Sequence, residues 1–295
     1  MPLSDINRSR LSLILSMLIW GTIGVFRRYI PLSSSLIALI RGAGGTAFLL
    51  LFMLLRGKRP SLSAIRRNAV PLLLSGAFIG FNWILLFEAY RFTTVATATL
   101  CYYMAPVIVL LLSPLLLHER LTAKRLLCIL IALTGMALVS GVAESGAGGS
   151  SDLKGILLGL AAAVLYAGVI LTNKKMSSIS SMDRTVVQLV VSFLMLLPYT
   201  LLTGGMEGAV FTPVSLVMLL IVAVVHTGVS YALYFGSMNS LSAQTVAICS
   251  YIDPVVAILI SALLLSEPMT PLSAAGAVLV LGATLMSELT GSKDK

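Results

Sequence analysis

The sequence predicts an all-α membrane protein, with ten transmembrane helices arranged as two inverted five-helix repeats. Three observations lead to this fold class: the composition, the length of the apolar runs and an internal repeat. Of the 295 residues, 58% are hydrophobic and only 11% are charged, against about 25% charged residues in ordinary soluble domains. So few charged side chains cannot cover a soluble chain of this length, which excludes a cytosolic enzyme, a secreted domain and a disordered scaffold.

Ten apolar runs follow one another along the chain, and most reach the ~20 residues that a helix needs to cross a bilayer. Because lipid offers the backbone no hydrogen-bond partner, each run is expected to be a helix, and the period-two alternation of barrel strands is absent. The first run ends at Arg27 and Arg28 without a small-residue cleavage site, so it is interpreted as an uncleaved helix. The runs lie at 11–29, 34–55, 69–90, 94–117, 123–141, 154–173, 185–203, 213–237, 243–265 and 271–289.

Basic residues are distributed unevenly between the connecting segments. Fifteen of the 20 Lys and Arg residues fall in segments that lie inside the cell if the N-terminus is cytoplasmic. This bias predicts cytoplasmic N- and C-termini. It also explains the net charge of +9, so nucleic acid is not an expected partner. The three cysteines lie in apolar runs without a CxxC pair, which predicts neither a disulfide framework nor a metal site.

The two halves of the chain are related by an internal repeat. A Gly/Ser-rich loop at 146–153 separates a first repeat, 1–145, from a second, 154–295. A shift of 148 positions makes 12 of 26 residues identical over 97–122 and 245–270. Because five spans are an odd number, the second repeat enters the membrane from the opposite side. Inverted repeats are typical of alternating-access carriers, with the substrate site between the halves near mid-membrane. Among the matched pairs are Tyr103 with Tyr251 and Pro106 with Pro254.

A recurring motif closes the fourth apolar run of each repeat. It reads Leu-Leu-Leu-x-Glu-x-hydrophobic-Thr and stands at 115–122 and again at 263–270. With the two five-helix halves, this motif resembles the drug/metabolite transporter superfamily, and within it the ten-helix bacterial members with two EamA-type repeats. The resemblance implies the fold, a place in the bacterial inner membrane, and transport of a metabolite, an amino acid or a drug. Its glutamates, Glu119 and Glu267, are expected to cap the helix that follows, near Thr122 or Thr270.

Charged side chains inside apolar runs are costly and persist only where they face protein or a water-filled cavity. Asp253 directly precedes Pro254, whose missing N–H frees carbonyl groups beside the carboxylate. Asp253 is therefore the main candidate for carrying a coupling proton, with a structural hydrogen bond to a helix as the alternative. Glu88 is a second coupling candidate, unless it only pairs with Arg91 one turn on. Arg41 is a candidate for binding a substrate carboxylate, unless it reaches the outer interface or pairs with Glu88.

Polar and aromatic side chains supply the remaining candidates. His226, Ser230, Tyr234 and Ser237 are spaced by four, four and three residues, which predicts one polar helix face turned to a cavity. Asn82 aligns with Ser230, and several tryptophans and tyrosines align in pairs between the halves. Core packing or the interfacial aromatic belt is the alternative for the aromatic residues. The predicted substrate-binding residues are Trp20, Arg41, Asn82, Trp83, Tyr103, Tyr166, His226, Ser230, Tyr231, Tyr234 and Tyr251.

These features predict a secondary transporter of a small polar or amphipathic metabolite, such as an amino acid, that works as an exporter by alternating access. No GxxxxGK[ST], HExxH or GxSxG motif occurs, so neither an enzyme nor a cofactor is expected. The partners would be the lipid bilayer and the small-molecule substrate. The fifth and tenth helices lack interior charge and are expected to be peripheral or to form a homodimer contact. An uncoupled facilitator, a drug-efflux permease of the same fold and a membrane-embedded sensor or scaffold are the alternatives.

Overall fold

The computed structural model describes residues 3–93, 95–139, 151–176, 178–264 and 270–291, which are mainly helical and contain no strand. Most of the predicted loop at 146–153, and Glu267 with its motif, lie outside these residues. Between α11 and α12 the chain makes a π-helical turn, Val224–Val229. The helices are α1 Leu3–Gly21, α2 Ile23–Arg28, α3 Ser34–Leu55, α4 Leu62–Arg67, α5 Ala69–Phe92, α6 Val95–Tyr102, α7 Ala105–Leu117, α8 Ala123–Val139, α9 Ser151–Lys175, α10 Ser181–Leu202, α11 Pro213–Ala223, α12 Ser230–Ser237, α13 Ala243–Cys249, α14 Ile252–Leu264 and α15 Pro271–Gly291.

The described part of every predicted apolar run is mainly helical, which confirms the all-helical membrane fold. Within the described residues, eight helical segments are long and apolar enough to cross a membrane by length and composition. α8, with 17 residues, and the described apolar part of α15, Pro271–Met286, are shorter. For these two helices, membrane crossing stays a prediction.

Both repeats contain a broken helix at the same place. In the first, α6 ends at Tyr102 and α7 begins at Ala105; in the second, α13 ends at Cys249 and α14 begins at Ile252. A proline lies in the first turn of the second piece each time, where its missing N–H removes no helical hydrogen bond and its fixed φ favours a new start. The breaks leave backbone carbonyl groups at mid-span without their usual partners.

The two halves interleave rather than stand side by side. α5 packs on α9 and α10, α3 packs on α10 and the π-helical turn, and α1 packs on α12 and α14. Glycines permit the close approach between α5 and α10: a Cβ at Gly76 would lie 2.7 Å from Val191, and one at Gly80 would lie 2.8 Å from Met195. Small residues at helix contacts are the usual way for membrane helices to pack closely. The space between these helices is therefore bounded by both repeats.

α8 and α15, the fifth and tenth predicted helices, contact mainly each other. Their seam is tight at Gly135, where an added Cβ would lie 2.7 Å from the carbonyl oxygen of Gly276. Neither helix contributes a residue to the cavity described below. The expected peripheral position agrees with the structure, and the homodimer contact stays a prediction.

A cavity between the two repeats

A cavity of about 580 Å³ lies between the two repeats, within the size range of sites for small molecules. Its walls come from α1, α2, α3, α5, α6 and α7 in the first half and from α9, α11, α12 and α14 in the second. The lining extends to Arg27, Ile30 and Ser34, where α2 passes into α3. That end of the bundle is called the mouth below. The predicted site residues that line the cavity are Trp20, Arg41, Tyr103, Tyr166, Tyr231 and Asp253.

Arg41 presents its charge to the cavity from the middle of α3. Its Nε–H donates to Thr227 Oγ1 at 3.0 Å, and its guanidinium carbon lies 5.3 Å from the ring centroid of Trp83. The two terminal nitrogens make no hydrogen bond with a described residue, and no described acidic side chain forms an ion pair with Arg41. The alternative pairing with Glu88 is absent. Two free N–H groups on a fixed guanidinium are what bidentate carboxylate binding requires.

Asp253 lies in the first turn of α14 and also lines the cavity. Its Oδ2 accepts a hydrogen bond from the Tyr103 hydroxyl at 3.4 Å. It makes no ion pair with a basic residue in the described part of the chain. A carboxyl group in contact with a cavity, without a fixed cation, can exchange a proton or meet a cationic group of a ligand.

Aromatic rings form a continuous wall. The Trp20 ring lies 4.9 Å from both Tyr231 and Tyr234, centroid to centroid, and its Nε1–H donates to the His226 carbonyl at 2.8 Å. Tyr166 donates its hydroxyl to Tyr234 Oη at 2.9 Å. Tyr234, another predicted binding residue, is buried and stands behind the lining formed by Trp20, Tyr166 and Tyr231. Because each ring is fixed by a neighbour or a hydrogen bond, the wall offers a preformed apolar surface beside the two charged groups.

The polar stripe on the eighth span does not line the cavity as predicted. His226 and Ser230 are buried against α1, where His226 Nε2 meets Thr22 Oγ1 at 2.9 Å and Ser230 donates to the Ser16 carbonyl at 3.2 Å. Ser237 bonds its own helix, at the carbonyl of Tyr234. His226 and Ser230 therefore share a face, as their spacing predicted, but that face meets α1 and the residue after it instead of the cavity.

Three further predicted binding residues stand behind the lining. Asn82 is buried and donates to the Ala162 carbonyl at 2.7 Å, which ties α5 to α9. Trp83 lies under Arg41. Tyr251 is buried and donates its hydroxyl to the Tyr103 carbonyl at 2.9 Å. These residues support the lining side chains and do not form the lining themselves.

Glu88 also lies away from the cavity lining. It forms an i,i+3 ion pair with Arg91 at 3.0 Å and accepts the Tyr199 hydroxyl at 2.5 Å. The sequence allowed this interpretation as the alternative to a coupling role. Of the two predicted coupling carboxyl groups, Asp253 lines the cavity and Glu88 does not.

The end of the bundle opposite the mouth is closed by polar side chains that bind backbone carbonyl groups. Lys174 donates to the carbonyls of Met238 and Leu241 at 2.9 and 2.7 Å. Arg184, only 1% exposed, donates to the Phe235 carbonyl at 3.2 Å. The sequence placed both cations in solvated connecting segments, and only the folded contacts show that they join α9 and α10 to the end of α12.

Glu119 completes this closed end. Its two carboxylate oxygens accept the backbone N–H groups of Ala243, at 2.7 Å, and Gln244, at 3.3 Å. Glu119 therefore caps α13 in the other repeat, and the expectation that it caps the helix following it in sequence is wrong. The capping role was correct because the first N–H groups of any helix need acceptors. The partner was wrong because sequence proximity does not show which helix end is nearest in space.

The structure adds cavity residues that the sequence analysis missed, namely Arg27, Tyr90, Tyr102 and Ser250. Tyr102 and Ser250 adjoin the two helix breaks. Their nearness in sequence to Pro106 and Pro254 was the signal that could have identified them. Arg27 gave no such signal, since basic residues at span ends are ordinary. Among the described residues, no group of three or more His, Cys, Asp or Glu could hold a metal ion.

Comparison with known proteins shows the same organisation. The profile of the EamA-like transporter family matches residues 8–141 and again 153–289. An uncharacterised transporter, YxxF of Bacillus subtilis strain 168, is 30% identical over 85% of this chain and 79% of its own length. A probable amino-acid metabolite efflux pump of Salmonella typhimurium strain LT2 is 30% identical over 75% of this chain and 78% of its own.

A crystal structure of 17% sequence identity has the same fold, with a TM-score of 0.84 over 96% of this chain and 98% of that one. The two family matches fall on the two repeats and together cover most of the chain. The chain thus belongs to the EamA-like transporter family, a family of membrane transporters within the drug/metabolite transporter superfamily.

Proposed function

We propose that this protein is a proton-coupled secondary transporter that exports a small zwitterionic or amphipathic metabolite, such as an amino acid or a related compound. The observation that carries the proposal is the cavity itself, in which Arg41 and Asp253 share one aromatic-walled space between inverted repeats. A guanidinium group suits a substrate carboxylate, and the rings suit an apolar side chain. Two relatives named as probable amino-acid metabolite efflux pumps support this substrate class.

Alternating access is the proposed mechanism. The cavity reaches the mouth, while the ties of Lys174, Arg184 and Glu119 close the other end. With the N-terminus in the cytoplasm, the mouth faces outward and the closed end faces the cytoplasm. Loading from the cytoplasm then requires those ties to break as the mouth closes. Inverted repeats supply the two related conformations.

Proton coupling is assigned to Asp253. The substrate and the proton occupy the same cavity in turn. The carrier therefore exchanges one for the other across the membrane, and entry of protons drives export of the substrate. Asp253 is suited to this role because it touches the cavity and lacks a permanent cationic partner among the described residues. Glu88, held by Arg91 and Tyr199, provides a matched control carboxylate outside the cavity.

The test is flux from proteoliposomes loaded with a mixed amino-acid and metabolite pool, measured by mass spectrometry with and without an imposed pH gradient. The wild-type protein is compared with Asp253→Asn and Glu88→Gln. With one proton exchanged per substrate, a gradient of one pH unit supports a concentration ratio of up to about tenfold. We expect that ratio for the wild type and for Glu88→Gln, and a ratio near one for Asp253→Asn.

Each outcome decides a separate part of the proposal. Specific efflux that ignores the gradient in all three proteins would establish a facilitator and would overturn the coupling. Gradient-driven efflux that survives Asp253→Asn would move the coupling away from Asp253. If no compound of the pool leaves faster than from liposomes containing an unrelated membrane protein, the substrate class is wrong.

A further inference from the structure

Tyr103 and Tyr251 are symmetry partners that touch each other. They match under the 148-residue shift, and each lies in the break of its repeat's interrupted helix. Their rings are 6.0 Å apart between centroids, at 35°. The internal symmetry therefore relates the two tyrosines at a direct contact, so a rearrangement that exchanges the conformations of the repeats must change this contact.

The two hydroxyl groups are used differently in this structure. Tyr251 donates to the Tyr103 carbonyl at 2.9 Å, a carbonyl group that lies in the break between α6 and α7. Tyr103 donates instead to Asp253 Oδ2 at 3.4 Å. The Tyr251 carbonyl occupies the equivalent place in the other break, before Pro254, and a carbonyl oxygen has two lone pairs that can accept hydrogen bonds.

We propose that Tyr103 and Tyr251 form a two-position hydrogen-bond switch that connects the conformation of the transporter to Asp253. This inference rests on the proposed alternating access, in which the opposite state arises when the two repeats exchange conformations. In that state Tyr103 donates to the Tyr251 carbonyl and withdraws from Asp253. The Tyr251 hydroxyl then turns toward Ala105, the counterpart of Asp253, which has no acceptor in its side chain.

The switch gives Asp253 a phenol donor in only one of the two states. A proton and the Tyr103 hydroxyl compete for the same carboxylate oxygen in the mouth-open state, but not in the opposite one. A ligand shifts a conformational equilibrium only through its different affinity for the two states. Protonation of Asp253 therefore favours closure of the mouth, and Tyr103 acts as a positioning residue for the coupling proton.

The groups around Asp253 allow this effect to be measured. The other titratable side chains lining the cavity are the phenols of Tyr90, Tyr102, Tyr103, Tyr166 and Tyr231 and the guanidinium groups of Arg27 and Arg41. α1, α8 and α15, which also pack on α14, contribute no charged group to the lining. Between pH 6 and pH 8 the protonation state of these groups ordinarily does not change: the phenols stay neutral and the guanidinium groups stay positively charged.

The experiment measures how open the mouth is. Gly24 lines the cavity in α2, and an added side chain meets nothing there within 4 Å. A single cysteine is placed at this position, as Gly24→Cys, after Cys101, Cys128 and Cys249 are replaced by serine. Its rate of reaction with a membrane-impermeant maleimide is divided by the rate at exposed Met206→Cys, on the same side of the membrane as the mouth, which corrects for the effect of pH on the thiol itself.

We expect the wild-type labelling ratio to fall from pH 8 to pH 6, and Asp253→Asn to abolish that change. Tyr251→Phe removes a hydrogen bond only from the mouth-open state, so it should lower the ratio at both pH values by about threefold to tenfold, the range expected for one net hydrogen bond. Its response to pH should remain. Tyr103→Phe should remove the response to pH, because the competition at Asp253 is lost.

A reciprocal variant tests the symmetry directly. Asp253→Ala combined with Ala105→Asp moves the carboxyl group to the other repeat, where it meets Tyr251 in the opposite state. The response to pH should then reverse, with more labelling at pH 6 than at pH 8. If this variant does not fold, the two phenylalanine variants still decide the question.

The switch is wrong if the wild-type ratio does not respond to pH, if Tyr103→Phe keeps the response, or if the two phenylalanine variants behave alike. If the two hydroxyl groups served packing alone, Tyr103→Phe and Tyr251→Phe would shift the labelling ratio in the same direction. Both variants would then keep the response of that ratio to pH. If substrate flux is measured in proteoliposomes but the labelling ratio at the mouth does not respond to pH, the switch is overturned and the transport function stands. Absence of flux would overturn the transport function itself.

Discussion

Arg41 is held from two sides, by Thr227 at its Nε–H and by the face of Trp83. The contacts use the parts of the guanidinium group that a carboxylate does not need. The terminal nitrogens remain for a ligand, at a fixed position in the cavity wall. An ammonium group on a flexible chain cannot reproduce both the hydrogen bond to Thr227 and a two-pronged contact with a carboxylate.

This geometry predicts that the conservative replacement Arg41→Lys impairs substrate binding. We expect the half-saturating concentration of a carboxylate-bearing substrate to rise by about tenfold or more, because one charge-assisted hydrogen bond is lost. Competition flux in proteoliposomes measures the change. Arg91→Lys, at the exposed end of α5, is the matched control and should bind as the wild type. Equal affinity in Arg41→Lys would place the substrate carboxylate elsewhere.

Single residues also show where sequence analysis reaches its limit. Asp253 and Arg41 were predicted from their charge alone, and both line the cavity. Asn82, Ser230 and His226 were selected by the same rule for polar groups in spans, yet they lie in dry contacts between helices. The rule requires a partner for each buried polar group, and a backbone carbonyl of a neighbouring helix satisfies it as well as water does.

At the level of helices, the interruptions decide which side chains meet. Pro106 and Pro254 made the breaks before α7 and α14 foreseeable, because proline starts a helix more readily than it continues one. The π-helical turn Val224–Val229 has no comparable signal in its sequence. One extra residue in a turn rotates everything beyond it by about 100° relative to an α-helix. His226, in this turn, and Ser230, after it, both contact α1 or the residue that follows it, so the polar side chains meet a helix instead of the cavity.

The seam between α8 and α15 gives a prediction about stability. In Gly135→Ala the new methyl group would lie 2.7 Å from the backbone oxygen of Gly276, so the helices must separate. We expect a loss of about 1 to 3 kcal/mol in stability, seen as a lower melting temperature in detergent. Gly282→Ala is the control on α15, where an added Cβ meets nothing within 4 Å. Equal melting temperatures for both variants would contradict the packing of this seam.

Across the whole molecule, the sequence predicted the order of the apolar segments, because local composition determines each of them. It also predicted the two repeats, because a fixed shift of 148 positions aligns matching residues. It did not predict how the repeats interleave. The cap from Glu119 to α13 joins residues 124 positions apart, and the hydrogen bond from Tyr251 to Tyr103 spans 148. Contacts of this kind depend on the packing of many helices at once.

Orientation in the membrane is the remaining prediction at this scale. The distribution of basic residues places the turn Gly204–Gly208 outside and the chain end after Lys295 inside. We expect alkaline phosphatase to be active when it is inserted at Gly208, and green fluorescent protein to fluoresce when it is fused after Lys295. The reverse pattern would turn the cavity mouth toward the cytoplasm. It would leave the cavity and its residues unchanged, but reverse the side from which substrate is loaded.

One difference between the repeats, Ala105 in the first and Asp253 at the matching position of the second, has an energetic consequence. If the repeats were identical, the two end states would be one structure in two orientations, related by a two-fold rotation about an axis in the membrane plane. They would then have equal energies in identical solutions. Their populations would be equal, and turning the molecule over in the bilayer would change nothing. One carboxyl group removes that degeneracy and makes the balance between the states depend on acidity. Its presence in one repeat alone gives the molecule an intrinsic polarity, independent of the loop charges that orient it.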